Sequence, residues 1–246
     1  IDKTNAGLTD LTEDVHQSSH TLSNARDRIQ TLRHWTEDLV RYTIVPGIET
    51  VDTPMIEIAK AKAKEVQELF ENAIATGRMT MEDVFDFNYQ AVPGTNPTQF
   101  KTRFTDFCDR ELPAIQEPTL ENDRIATLTA NDINGYIPRH VNVRNQPQRP
   151  DDPEWNNLNS RGMRIYNDPV GMAAAKNTKE FLLQTYRLPF INDQFATLKD
   201  CSAPIRVNGK HWGSVRLTYD ILITDADGND TLNQQDMRRT IGKEKD

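Results

Sequence analysis

The chain has few cysteines, no long apolar run and no surplus of basic residues, and each shortage removes a class of protein. Cys108 and Cys201 stand in neither a metal-ligand nor a redox spacing, so there is no disulfide framework and both read as ordinary buried thiols. No stretch approaches the roughly 18 to 20 uninterrupted apolar residues that carry a helix across a bilayer, and the first residues lack the basic and apolar regions of a signal peptide. Lys and Arg number 29 against 37 Asp and Glu, a net charge of −8, whereas a binder of phosphate backbones concentrates a Lys/Arg excess on one face. Nucleic acid is set aside as a partner. HExxH, GxSxG, a P-loop and any cluster of Cys and His are also missing, so no nucleophile, base or metal set is in view and the expectation is a protein that is not an enzyme. The chain opens at Ile1 without Met, almost inside a helical pattern, and is read as a piece of something longer.

What is present is polar: of 246 residues 36% are hydrophobic and 27% charged, which suits a stalk joined to one domain of ordinary size. Leu8, Leu11, Val15, Ser18, Leu22, Ala25, Ile29, Leu32, Thr36 and Leu39 keep a 3-4 alternation without a slip, and eight of these ten are apolar. A 3.5-residue repeat held this long is a coiled-coil seam, for which a parallel homodimer is the favoured arrangement and a later helix of the same chain the other. His16 and His20 have the spacing of a helical metal pair, but they fall outside the seam with no third ligand near and read as solvated, as does His34.

Thr53-Pro54 opens a second helix, with Thr53 as N-cap, an apolar stripe of Ile56, Ala59, Ala63, Val66 and Phe70, and Gly77 as stop. Thr80 with Asp83 three residues on marks a third start. Asn96-Pro97 with Gln99 marks a fourth, with Phe100, Phe104 and Phe107 on one face as core, so the chain is expected to be helical up to about residue 121.

Beyond residue 124 the texture changes to short runs with turn signals. Ile125 to Thr129 reads as a strand that folds back through Asn134-Gly135, a dipeptide suited to a tight type I′ hairpin. Residues 142–167, with Pro147, Pro150 and Pro153, read as a long excursion, after which Asp168-Pro169 caps a helix through Ala175. Three strands follow, 181–187, 196–207 and 210–221, the last two joined by Asn208-Gly209. A two-residue loop there sets Arg206 opposite His211 and Ile205 opposite Trp212. Arg206 and His211 then share an apolar face with Val215, Leu217, Tyr219 and Ile221, read as a pocket wall or as a core face whose polar end meets solvent. Asp225 to Asp236 has the outline of a calcium loop but lacks the sixth-place Gly, where Asp230 stands, and the closing Glu; it reads as flexible acidic tail.

The expected fold is α+β: a coiled-coil stalk over 1–45, a linker of flanking helices over 46–123, a five-stranded antiparallel sheet of the PAS/Cache type over 124–222 and the tail over 223–246. The stretches 131–138, 164–168, 181–187 and 202–213 (Ser-Ala-Pro-Ile-Arg-Val-Asn-Gly-Lys-His-Trp-Gly) resemble a Cache-like sensor domain of bacterial methyl-accepting chemotaxis proteins, and 73–118 resembles the segment before it. The sequence departs from that family's pattern at Arg139-His140-Val141 and Leu188-Pro189-Phe190. The resemblance implies a chemoreceptor sensor at the cytoplasmic end of a longer protein that works with a chemotaxis kinase and a coupling protein; a periplasmic sensor fragment is the alternative.

Such a sensor is expected to bind a small polar or anionic ligand. Arg161, Arg164 and Arg187 are the candidate clamps, since guanidinium forks match carboxylates and phosphates, and Tyr136, Tyr186 and His211 are further polar contacts. Against that, Arg161 and Arg164 could pair with Asp151, Asp152 or Asp168 and pin the excursion. No cofactor is expected. The alternatives are a haem sensor using His140 or His211, without a CxxCH for covalent attachment, and a dimerisation module that binds no ligand.

Overall fold

The computed structural model describes residues 12, 14–29, 31–32, 49–189 and 195–220, with backbone alone at 186–189 and 195–197. They belong to two units divided after Ile48. In the first, residues 14–29 form helix α1, on which the seam residues Val15, Leu22 and Ile29 stand 61–71% exposed. The outer seam positions, His34 and the tail lie outside the described residues.

The second unit is α+β. Helix α2 (Thr53–Ala75) buries Ile56, Ala59, Ala63, Val66 and Phe70, the stripe read from the sequence. Its N-cap is Asp52, one residue before the expected Thr53, because the Thr53 hydroxyl accepts a hydrogen bond from the Thr50 amide instead. Helix α3 (Met81–Val84) opens on a complete capping box, with Thr80 and Asp83 each bonding the other's backbone N–H at 3.1 and 2.9 Å.

The fourth expected helix starts later than the sequence suggested. Phe100 lies in a strand, β2 (Phe100–Lys101), paired with β1 (Gln90–Ala91), and the helix α4 runs Thr105–Glu111. Gln99 does not cap a helix: its side-chain amide donates to the Gly162 carbonyl at 2.9 Å, and the Phe100 N–H donates to the Met163 carbonyl at 2.7 Å. Those contacts tie residues 99–100 to the excursion and keep them extended. Helix α5 (Pro113–Gln116) and a 3-10 turn, Glu117–Glu121, complete this region.

Strand β3 (Ile125–Asp132) does not pair with the short β4 (Tyr136–Ile137); β4 pairs with β5 (Arg164–Ile165). The turn at Asn134-Gly135 forms, but the Asp132 carboxylate accepts the amides of Asn134 and Tyr136 at 2.9 and 3.0 Å, and Tyr166 N–H bonds the Gly135 carbonyl. A Cβ at residue 135 would strike the Tyr166 carbonyl, so only glycine lets this crossing happen. The excursion also holds helix α6 (Pro153–Asn159), N-capped by Asp152, where the prolines and amides suggested none.

Helix α7 (Pro169–Ala175) is capped by Asp168 as expected. Strands β6 (Leu182–Pro189), β7 (Phe195–Val207) and β8 (Lys210–Asp220) follow. The main sheet among the described residues is therefore four-stranded, in the order β3-β8-β7-β6 and antiparallel throughout, rather than five-stranded.

Asn208-Gly209 makes the expected turn, with both residues at positive φ, and Arg206 opposes His211. A register shift follows at once, so Ile205 opposes Gly213 and not Trp212. One extra residue flips the alternation of the whole strand. Trp212 consequently joins Val215, Leu217 and Tyr219 on the face covered by α2, against Phe70 and Phe104 with centroids 4.9 and 5.5 Å away. His211 goes to the opposite face. The apolar face expected to wall a pocket is the core.

Candidate functional site

Antiparallel partners point to the same side of a sheet. The face away from α2 therefore carries Thr129 and Asn131 of β3, Ser214, Arg216 and Thr218 of β8, Asp200 and Ser202 of β7, and Gln184 of β6. All except Arg216 are 6% exposed or less. A covered sheet face ordinarily reads as Val, Ile and Leu, and this one, besides Leu182, Leu198 and Pro204, carries hydroxyls, amides and an ion pair.

Arg216 is the centre of that face. Its Nε and Nη2 converge on one oxygen, Oδ2 of the fully buried Asp200, at 2.9 and 2.5 Å. Asp200 Oδ1 and Ser202 Oγ are buried and receive no hydrogen bond. Helix α7 lies against the guanidinium, since a Cβ at Gly171 would meet Arg216 Nη1 at 3.4 Å.

The excursion supplies more positive charge. The buried His140 ring stays neutral, its basicity held well below the usual range by burial and then by Arg161, Arg144, Arg216 and Arg139 around it. Its Nδ1 accepts the Val141 N–H at 3.0 Å. Burial and the neighbouring Arg161 push the Arg144 guanidinium down to about 10, and burial lowers Arg164 as well. Arg161 and Arg164 flank the Tyr166 ring with guanidinium carbons 5.3 and 5.2 Å from its centroid. Arg161 Nε and Arg164 Nη1 are buried without a hydrogen-bond partner, and the one side-chain bond of Arg164 goes to the neutral Asn157.

Of Asp151, Asp152 and Asp168, the carboxylates weighed as partners for these arginines, Asp152 and Asp168 cap α6 and α7. Among the described residues neither Arg161 nor Arg164 forms an ion pair. Guanidinium N–H groups left without a protein partner are the kind of donor that forks onto a carboxylate or phosphate.

Of the residues singled out from sequence, the fold sets Arg161 and Arg164 side by side. Tyr136 is elsewhere: its hydroxyl sits in the core, donating to the Phe100 carbonyl at 2.7 Å beside Thr105. His211 is on the site's face but at its end, with Nε2 3.1 Å from the Ala175 carbonyl and Nδ1 unpartnered. Tyr186 and Arg187 stand on β6 opposite Leu198 and Thr197, and their side chains lie outside the described residues. For haem, the hydroxyl- and amide-lined face beside His140 and His211 is a poor match to a porphyrin's apolar flanks. No group of three or more metal-ligating side chains occurs among the described residues.

Sequence reasoning missed Arg144, Asp200, Ser202 and Arg216. The signal for three of them is the alternation Asp200-x-Ser202 and Ser214-x-Arg216-x-Thr218, to which the sequence reading gave no role. No helix among the described residues is long and apolar enough to cross a membrane. The chain matches no family model, and no curated protein matches it.

Proposed function

We propose that the chain is the sensory part of a bacterial chemotaxis receptor, binding a small anion between the polar sheet face and the excursion and acting by binding rather than catalysis. The observation that carries this reading is the pair of arginines, Arg161 and Arg164, with Nε and Nη1 buried and unpartnered and with no ion pair among the described residues. The strand order supports it: the excursion leaves after β3 and returns as β6 at the far edge, so it can wrap one face of a sheet that α2 covers on the other. The stretches resembling chemoreceptor sensors supply the receptor context, with a kinase and coupling protein as partners and a cytoplasmic setting. The exposed seam of α1 supports a homodimeric stalk, because one helix cannot bury its own stripe.

The test is a melting series with small carboxylates and inorganic phosphate, followed by calorimetry. A ligand at a hundred times its dissociation constant adds about 2.7 kcal/mol to native stability. Arg161→Ala is expected to weaken binding about tenfold or more and to move the unliganded melting temperature little, since the guanidinium forms no ion pair among the described residues and its Nε has no partner. Full affinity in both Arg161→Ala and Arg164→Ala removes them from the site. For the stalk, polar residues at Leu22 and Ile29 remove two seam contacts of about 1.5–3 kcal/mol each, and an unaltered mass in sedimentation rejects the seam as the dimer contact.

A further inference from the structure

Beyond the anion reading, we infer that a second site lies between α4 and the excursion and takes a neutral polyhydroxy molecule of monosaccharide size. A cleft of about 350 Å³ opens there. Lys101 of β2 and Asp106 and Asp109 of α4 line one side of it, and Arg139, Asn145 and Gln146 line the other. Its volume falls at the small end of the roughly 300–1,000 Å³ usual for small-molecule sites. Arg161 and Arg164 do not line it.

The fold holds the walls of this cleft in place. Asn145 and Ser160 bridge the two arms of the excursion, and Gln99, also in the lining, donates from Nε2 to the Gly162 carbonyl at 2.9 Å. Each amide of the lining is anchored by one end. Gln146 donates from Nε2 to the Asn142 carbonyl at 2.8 Å, and Asn145 Oδ1 accepts the His140 N–H at 3.2 Å. The side-chain oxygens of Gln99 and Gln146 and the Asn145 Nδ2 have no partner among the described residues. Fixed acceptors and a fixed donor therefore line one small space.

Charge in the cleft is balanced. Asp106 Oδ1 lies 2.8 Å from Lys101 Nζ, and Asp109 Oδ1 lies 2.8 Å from Arg139 Nη1. The two carboxylates stand one turn apart on α4, with side chains 71% and 55% exposed, so a ligand can reach their second oxygens. An anion entering here meets two carboxylates, and a cation meets an ammonium and a guanidinium, so neither gains from the charge. A hydroxyl both donates and accepts, and several of them on one frame engage the amides and carboxylates together.

The experiment titrates the whole chain calorimetrically with glucose, galactose and inositol. At least one is expected to bind with a dissociation constant of about 1 mM or tighter. Glucuronate, galacturonate, glucosamine and galactosamine are then scored by displacement of the bound polyol, and each is expected to displace it less well than its neutral parent. Gln146→Ala gives up one exposed hydrogen bond and is expected to weaken polyol binding about threefold to tenfold while leaving the melting curve nearly unchanged. Asp106→Ala, which loses an exposed ion pair, is expected to do the same. Arg161→Ala is expected to leave polyol affinity as it is. The inference is overturned if no neutral polyol binds up to roughly 10 mM, if a charged counterpart displaces it better, or if Gln146→Ala and Asp106→Ala both keep full affinity. Polyol binding lost in Arg161→Ala overturns it too, by making this cleft part of the anion site. Failure of the anions to bind, with polyol binding intact, rejects the anion reading alone.

Discussion

The two faces of the main sheet are built from alternate residues of the same strands, yet they treat polar atoms in opposite ways. Toward α2, Lys199, Tyr219, Trp212 and Asp132 all find protein partners. Asp52 at the start of α2 receives Lys199 Nζ at 2.6 Å and the Tyr219 hydroxyl at 3.0 Å, Trp212 Nε1 donates to the Val84 carbonyl at 2.8 Å, and Asp132 accepts three donors. On the other face Asp200 and Ser202 keep acceptors without donors. A buried group left without its partner costs about 1–3 kcal/mol. One face matches its buried polar groups within the fold, and the other leaves the acceptors of Asp200 and Ser202 unmatched.

The largest test of that contrast is Trp212→Ala. It empties a fully buried ring site among Phe70 and Phe104, and a loss of about 3–5 kcal/mol is expected in urea unfolding, with site affinity retained in the remaining folded fraction.

A second test concerns pH. Burial pushes the Asp132 carboxyl from 3.8 up to about 6, outweighing the hydrogen bonds from Tyr89 and two amides. Because the folded-state value lies above the unfolded one, the contribution of this group is fully present below about pH 4 and is lost as the pH rises through 6. The total is about 3 kcal/mol at roughly 1.4 kcal/mol for each pH unit of that interval. Stability measured from pH 4 to 7 should fall less steeply in Asp132→Asn than in the parent, and identical slopes reject the assignment.

Lys199→Met, on the α2 side, strips Asp52 of its cation and is expected to cost about 1–3 kcal/mol. Smallest of all is Ser202→Ala on the opposite face. Its hydroxyl has no partner to lose, so the unliganded melting curve should move by no more than about 0.5 kcal/mol. A loss as large as that of Lys199→Met would mean that the two faces are not different in kind.

Much of the first face was legible in the sequence. The α2 stripe, the capping box of Thr80 and Asp83, the Asp168 cap and the Asn208-Gly209 turn are local signals, carried by residues within a few positions of one another. Arg161 and Arg164 were also visible, as guanidiniums inside a long proline-bearing excursion. The partner of β4 was not, because it depends on the close approach of Gly135 to Tyr166, 31 positions away in the chain. Nor was the start of α4, since the preference of Asn96-Pro97 for opening a helix lost to hydrogen bonds with residues 162 and 163.

By itself the sequence determined the α2 stripe, several caps and turns, the acidic and largely polar character of the chain and the presence of arginines in the excursion, all properties of neighbouring residues or of composition. Only the tertiary structure decided which side of the sheet packs on α2 and which carries the polar groups. A single extra residue beside Arg206 inverts the alternation of β8, placing Trp212 against α2 and turning Arg216 toward Asp200. Alternation is a relative pattern, so a strand read alone reveals that it has two faces, while the bulge and the strands beside it determine where each one points.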